Sequence, residues 1–152
     1  MFKLFYEDME LGKEETFGAY LVTKEEVIDF ASKYDPQPFH LDEKMAKQSV
    51  FGDLCASGWH TCAMTMRVLV DHMMDQGFAG MGSPGIDEIK WKLPVFPGDT
   101  LSVRGELVDK RDSKSRPNIG LVKSRYRVFN QNNQMVMQLV SNAMVLKRGE
   151  KP

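Results

Sequence analysis

Apolar positions recur in two different periods along this chain, and the change falls near Gly85. Thr23-Lys24-Glu25-Glu26 has the form of a capping box, Thr as N-cap and Glu three residues on. Val27, Phe30, Ala31 and Tyr34 follow at helical spacing, which predicts a helix that stops at Asp35. A shorter helix is predicted from Asp42 through Met45 and Ala46. Ser57 suits an N-cap, and Trp59, Cys62, Ala63, Met66, Leu69, Val70 and Met73 then follow at i, i+3, i+4, i+7. Met64, Val68 and Met74 widen that stripe, so this third helix, closed by Gly77, is expected to lie inside the fold.

After Gly85 the period is two. Ile89, Trp91, Leu93 and Val95 alternate up to a turn at Pro97-Gly98-Asp99, and Leu101, Val103 and Leu107 alternate again. Val122, Tyr126 and Val128 make a third run, Asn130-Gln131-Asn132-Asn133 a hairpin turn, and Met135 to Leu146 a last strand. Phe17 to Val22 adds a further strand before the helices. With no helix between the later strands, they are expected to pair antiparallel. The pattern predicts an α+β fold, an antiparallel sheet curled around one long central helix. Lys90, Lys92, Lys123 and Arg125 suit its wet face, and dimerisation would cover an unpaired edge.

The 152 residues are read as one domain, 1–152, with no repeat or linker. Twenty basic and 21 acidic residues leave a net charge of −1, without the basic patch that a nucleic-acid or anionic-membrane binder needs. The short apolar run after Met1 does not make a signal peptide, and no stretch approaches a membrane span. Cys55 and Cys62 form no CxxC or zinc-type cluster with the three histidines and read as reduced, buried side chains. The expectation is a cytoplasmic protein.

The chemistry concentrates in Tyr34-Asp35-Pro36-Gln37-Pro38-Phe39-His40. Two prolines stiffen the loop and push the residue before each out of helical space. A rigid carboxylate and imidazole suit one water molecule, one group taking its proton while the other orients it. The alternative is a polar surface loop whose His40 caps the next helix. Gly58 stands at the start of the third helix, where backbone N–H groups lack partners and the dipole favours negative charge. It is either an oxyanion donor or a plain helix-start glycine.

Three segments together resemble the hotdog-fold MaoC-like dehydratase family, which includes the (R)-specific enoyl-CoA hydratases. Asp35-Pro36-Gln37-Pro38-Phe39-His40 matches its Asp-x-Asn-Pro-x-His motif. Ala56-Ser57-Gly58-Trp59 stands where the family has a His-Gly, and residues 93–101 match its Pro-Val-x-Pro-Gly-Asp-Thr-Leu turn. The resemblance spans about residues 10 to 147. It implies syn addition of water to a 2-enoyl-CoA, giving an (R)-3-hydroxyacyl-CoA, and the reverse dehydration. Asp35 and His40 would hold the water and the Gly58 N–H the thioester carbonyl. It also implies coenzyme A thioester as substrate with no metal or redox cofactor, and a homodimer or higher homo-oligomer with the site at the interface. Rival readings are a hotdog thioesterase and a non-catalytic acyl-CoA-binding domain.

Two positions depart from the motifs: Gln37 replaces Asn, and Ser57 replaces His. Gln37, Ser57, Trp59 and His60 are expected to bind substrate. For Trp59 the other reading is core packing, and for His60 a solvent-facing place in the first turn. His72, with Asp71 and Asp75, reads as a solvated face, and Lys114 and Arg116 as a solvated cluster. Met64 and Met66 are candidates for a flexible acyl tunnel. Asp35, His40 and His60 lack a recognisable metal-ligand spacing.

Overall fold

The computed structural model describes residues 1–152. Its elements run β1 (Glu14–Leu21), α1 (Lys24–Tyr34), α2 (Glu43–Lys47), α3 (Gly58–Gln76), β2 (Gly85–Trp91), β3 (Thr100–Asp112), β4 (Ile119–Phe129) and β5 (Met135–Leu146). Short 3-10 turns occupy Tyr6–Asp8 and Pro38–His40. All five strands join one antiparallel sheet in the order β1-β3-β4-β5-β2. The three long C-terminal strands are sequential neighbours, and β1 and β2 close the two edges. The result is the α+β hotdog arrangement, a sheet wrapped on one long helix.

The core lies between α3 and the concave face of the sheet. Met64, Val68 and Leu69 of α3 share one buried cluster with Leu101 and Val103 of β3, Val128 of β4 and Val136 of β5. Each such side chain contributes about 1.5–3 kcal/mol by leaving water. Gly18 shows how closely the edge strand approaches the helix. Its φ is +83°, and a Cβ there would stand 2.3 Å from Val68 Cγ1. The register of β1 against β3 shifts at this bulge, between Phe17 and Tyr20.

The structure departs from the periodicity at three places. The alternation that ran on to Val95 breaks at Trp91, where β2 ends. The N–H groups of Lys92 and Leu93 both reach the Val136 carbonyl, at 2.8 and 3.3 Å, and Pro94 has no N–H with which to continue the ladder. The chain then leaves the sheet, and the Val95 carbonyl accepts from the Ala56 N–H at 2.8 Å. Residues 92–95 thus cross the start of α3 instead of extending a strand. Secondly, α3 is not enclosed all round: Met66, Val70 and Met74 are exposed. Thirdly, His72 does not lie on a solvated face. Its ring stacks on Phe17 with centroids 3.8 Å apart, and its Nε2 is 3.1 Å from Glu15 Oε2. An edge strand can offer such a helix residue a partner that its own helical neighbours do not reveal.

Candidate active site

Helix α1 delivers Asp35, and two prolines shape the loop beyond it. Asp35 is the C-cap residue, its N–H still bonded to the Ala31 carbonyl at 2.9 Å. Pro38 opens the 3-10 turn that carries His40, whose N–H donates to the Gln37 carbonyl at 3.0 Å. The His40 ring is buried, with Nδ1 2.7 Å from the Cys55 carbonyl. A carbonyl only accepts, so Nδ1 carries a proton, and in that tautomer Nε2 turns its lone pair toward Asp35 Oδ2, 3.5 Å away. Two acceptors at that separation do not bond to each other; a water beside them can donate to both.

The carboxylate is held as firmly as the ring. Asp35 Oδ2 accepts from Ser57 Oγ at 2.6 Å and Oδ1 from Gln37 Nε2 at 2.7 Å. Burial pushes the Asp35 carboxyl up, but the Ser57 and Gln37 hydrogen bonds, with the charge His40 can carry, outweigh it and leave it below its ordinary value.

At the start of α3, Ser57 Oγ caps the Trp59 N–H at 3.3 Å. The N–H of Gly58, the first helical residue, precedes any intrahelical acceptor and makes no hydrogen bond within the protein. Glycine is required here for a reason independent of ligands. Trp91 lies across the residue, its Nε1 donating to the Gly58 carbonyl at 2.9 Å, and a Cβ at position 58 would meet the indole Cε2 at 2.6 Å. Asp35, His40, Gly58, Phe51, Trp59 and Leu93 border one cavity of about 410 Å³. Along its wall lie the Asp35/His40 acceptor pair, the helix-start residue Gly58 and the aromatic rings of Phe51 and Trp59.

Residues 10–127 match the model of the MaoC like domain. The chain belongs to that family. A curated relative, the uncharacterized protein YdeM of Bacillus subtilis, is 27% identical over 120 residues, covering 77% of this chain and 81% of YdeM. A 3-hydroxybutyryl-CoA dehydratase of Methylorubrum extorquens is 29% identical over 108 residues, covering 70% of this chain and 65% of that protein. Among solved structures, a MaoC-like dehydratase from Rhodospirillum rubrum is 38% identical, with a TM-score of 0.86, 97% of this chain and 100% of that one being covered. The R-hydratase PhaJ1 from Pseudomonas aeruginosa, 21% identical with a TM-score of 0.67 over 97% of this chain and 93% of that one, shares the hotdog fold.

Within this MaoC-like domain the residues expected to bind substrate divide. Gln37 and Trp59 line the cavity, and Trp59, 59% exposed, stands edge-on to Trp91 at 5.3 Å instead of packing in the core. Ser57 is fully buried and spends its hydroxyl on Asp35 and on the helix cap, so it positions the carboxylate and does not reach the cavity. His60 neither lines the cavity nor faces solvent. Only 2% exposed, it points to the other side of α3, Nε2 3.1 Å from Glu26 Oε1 and its ring stacked on Phe30. The first helical turn rotates it away from Gly58. Asp35 and His40 accordingly meet without His60, and no group of three or more His, Cys, Asp or Glu side chains has metal-binding geometry.

Met64 is core and Met66 exposed, and neither lines this cavity. Both cysteines are free; Cys55 is buried and Cys62 half-buried. Burial, then the nearby Asp53 charge, pushes the Cys55 thiol up to about 11, far from a reactive thiolate. Two contributors were invisible in the motifs. One is the Cys55 carbonyl, a backbone group whose role does not depend on side-chain identity. The other is Trp91, which alternation assigns to a strand face; the signal available was Pro94, close enough to end that strand.

Proposed function

We propose that this MaoC-like domain is an acyl-CoA hydratase/dehydratase that adds water reversibly and syn to a 2-enoyl-CoA, giving an (R)-3-hydroxyacyl-CoA. The observation that carries the reading is the Asp35/His40 pair, two acceptors 3.5 Å apart at the wall of a cavity that Gly58, at the start of α3, also lines. A bound water donates one hydrogen to Asp35 and one to His40 Nε2. As its oxygen bonds to C3, His40 takes that proton, and the π electrons of C2=C3 move into the thioester, whose oxygen becomes enolate-like. The Gly58 N–H and the N-terminus of α3 stabilise that charge by about 3–4 kcal/mol. The imidazolium, facing the Asp35 carboxylate, returns the proton to C2 from the same face. One water is consumed and the thioester carbonyl is restored.

Every proton has a carrier among these residues, so the reaction calls for neither metal nor redox cofactor; coenzyme A enters as part of the substrate. The edge strand β2, with exposed Ile86 near its start and exposed Trp91 and Leu93 beside the cavity, suits a homodimer joined along that edge. The one domain spans residues 1–152.

Hydration of crotonyl-CoA in D2O tests the reading. The expected product is (R)-3-hydroxybutyryl-CoA with one deuterium at C2 on the same face as the hydroxyl. Anti addition, or release of free thiol detectable with a thiol reagent, overturns it, the latter in favour of a thioesterase.

A further inference from the structure

Glu26 opens α1 as the third residue of what the sequence presents as a capping box, but only half of that box forms. Thr23 Oγ1 accepts from the Glu26 N–H at 3.3 Å, while the Glu26 side chain turns away from the cap. Its Oε1 instead accepts from Tyr20 Oη of β1 at 2.5 Å and lies 3.1 Å from His60 Nε2 of α3. One carboxylate oxygen therefore joins three elements. Burial pushes the Glu26 carboxyl up, but the hydrogen bonds from Tyr20 and His60 prevail and keep it below its ordinary value. The Tyr20 hydroxyl, half-buried and facing that carboxylate, is pushed up to about 12 by burial and by the Glu26 hydrogen bond, and stays a donor.

An ionised carboxylate facing Nε2 places the His60 proton there, leaving Nδ1 as the acceptor. That Nδ1 is the one buried side-chain polar atom in the protein without a hydrogen-bond partner. Leaving such an atom unsatisfied is costly in a ring that is only 2% exposed, and an apolar side chain would fill the same space without that cost. The ring is nevertheless kept, stacked on Phe30 of α1 at 4.7 Å and 11°. What it provides in return is the link through Nε2.

That link matters because of what stands at the far end of α1. Glu26 and Asp35 are nine residues apart, about 13 Å along the helix. At one end of α1, Glu26 holds His60; at the other, Asp35 accepts from Ser57 at 2.6 Å. His60 and Ser57 flank Gly58 within the first turn of α3. Two polar ties thus fix α1 against that turn, and both the orientation of Asp35 and its distance from the Gly58 N–H depend on them. Val27 and Ala31 anchor α1 in the core, and the two ties set how its two ends lie against that turn within this packing.

We propose that Glu26 and His60 are positioning residues for the Asp35 carboxylate, the second of two ties that set its place against the N-terminus of α3. The proposal rests on the hydratase reading for its kinetic consequence but not for its structural one. Replacing Glu26→Ala removes the tie while touching neither substrate nor water. The expected result is a fall in kcat of at least about tenfold with KM changed little, since a misplacement of about 1 Å costs up to about 10²-fold. In the same variant the carboxyl carbon signal of Asp35 titrates closer to the ordinary aspartate value, because the Ser57 hydrogen bond loosens. Glu26→Gln, whose amide oxygen can still accept from Tyr20 and His60, restores both.

A lowered melting temperature with wild-type kcat and an unmoved Asp35 titration assigns the tie to stability alone and overturns the proposal. Should Glu26→Ala fail to fold, Glu26→Asp withdraws the carboxylate by one methylene and is read by the same criteria. If the wild-type protein hydrates no enoyl thioester, the hydratase reading falls, and the Asp35 titration in the variants still decides the positioning claim.

Discussion

At the scale of single residues the site depends on three hydrogen bonds: Ser57 and Gln37 to Asp35, and His40 to the Cys55 carbonyl. The Asp35 carboxyl sits below its ordinary value, so its contribution to stability is present in full above that ordinary value and is lost as pH falls through the lower, folded one. Titration of the Asp35 carboxyl carbon by NMR should give a midpoint below that of unstructured aspartate; a midpoint at or above it contradicts the hydrogen-bond account. Ser57→Ala should raise the midpoint and cost about 1 kcal/mol in denaturant unfolding, because it removes a donor and a helix cap together. Asp35, Gln37 and His40 were legible in the sequence because two prolines and a short spacing bring them together locally. The role of Ser57 was not, since its partner is 22 residues away. The direction of His60 was hidden for the same reason: its partner, Glu26, is 34 residues away, and helical rotation in the first turn decides where the ring points.

At the scale of elements, the start of α3 and the end of β2 are built as one unit. Gly58→Ala should destabilise by about 1–3 kcal/mol through the clash with Trp91. Trp91→Ala should leave room for that methyl, so the double variant Gly58→Ala/Trp91→Ala should lose less than the sum of the singles in a double-mutant cycle. Strict additivity would show that the indole does not dictate the glycine. The helices were readable because their N-caps and apolar periods are local: Thr23 and Ser57 cap the helices as their sequence implied. The end of β2 was not. Leu93 and Val95 keep the alternation while the backbone, lacking a donor at Pro94, leaves the ladder and crosses α3. Glu26 shows the same divergence, with a capping-box sequence whose second half is drawn into tertiary contacts.

At the scale of the whole molecule, β2 is an edge strand carrying the exposed Ile86 near its start and the exposed Trp91 at the cavity. A dimer along that edge should appear as a two-chain mass in size-exclusion chromatography with light scattering, and Ile86→Glu should shift it toward one chain. A wild-type protein that runs as a monomer contradicts the proposed interface. The sheet and its central helix followed from the change of period at Gly85. The strand order, with β2 beside β5 across the whole sheet, did not, because pairing of distant strands leaves no local mark. The chemistry itself is tested most directly by following the ultraviolet band of crotonyl-CoA with purified wild-type protein, Asp35→Ala and His40→Ala, each shown to be folded. The wild type should consume the conjugated thioester, and each variant should be slower by about 10²–10⁴-fold. Turnover at the wild-type rate in either folded variant would contradict an Asp35/His40-held water.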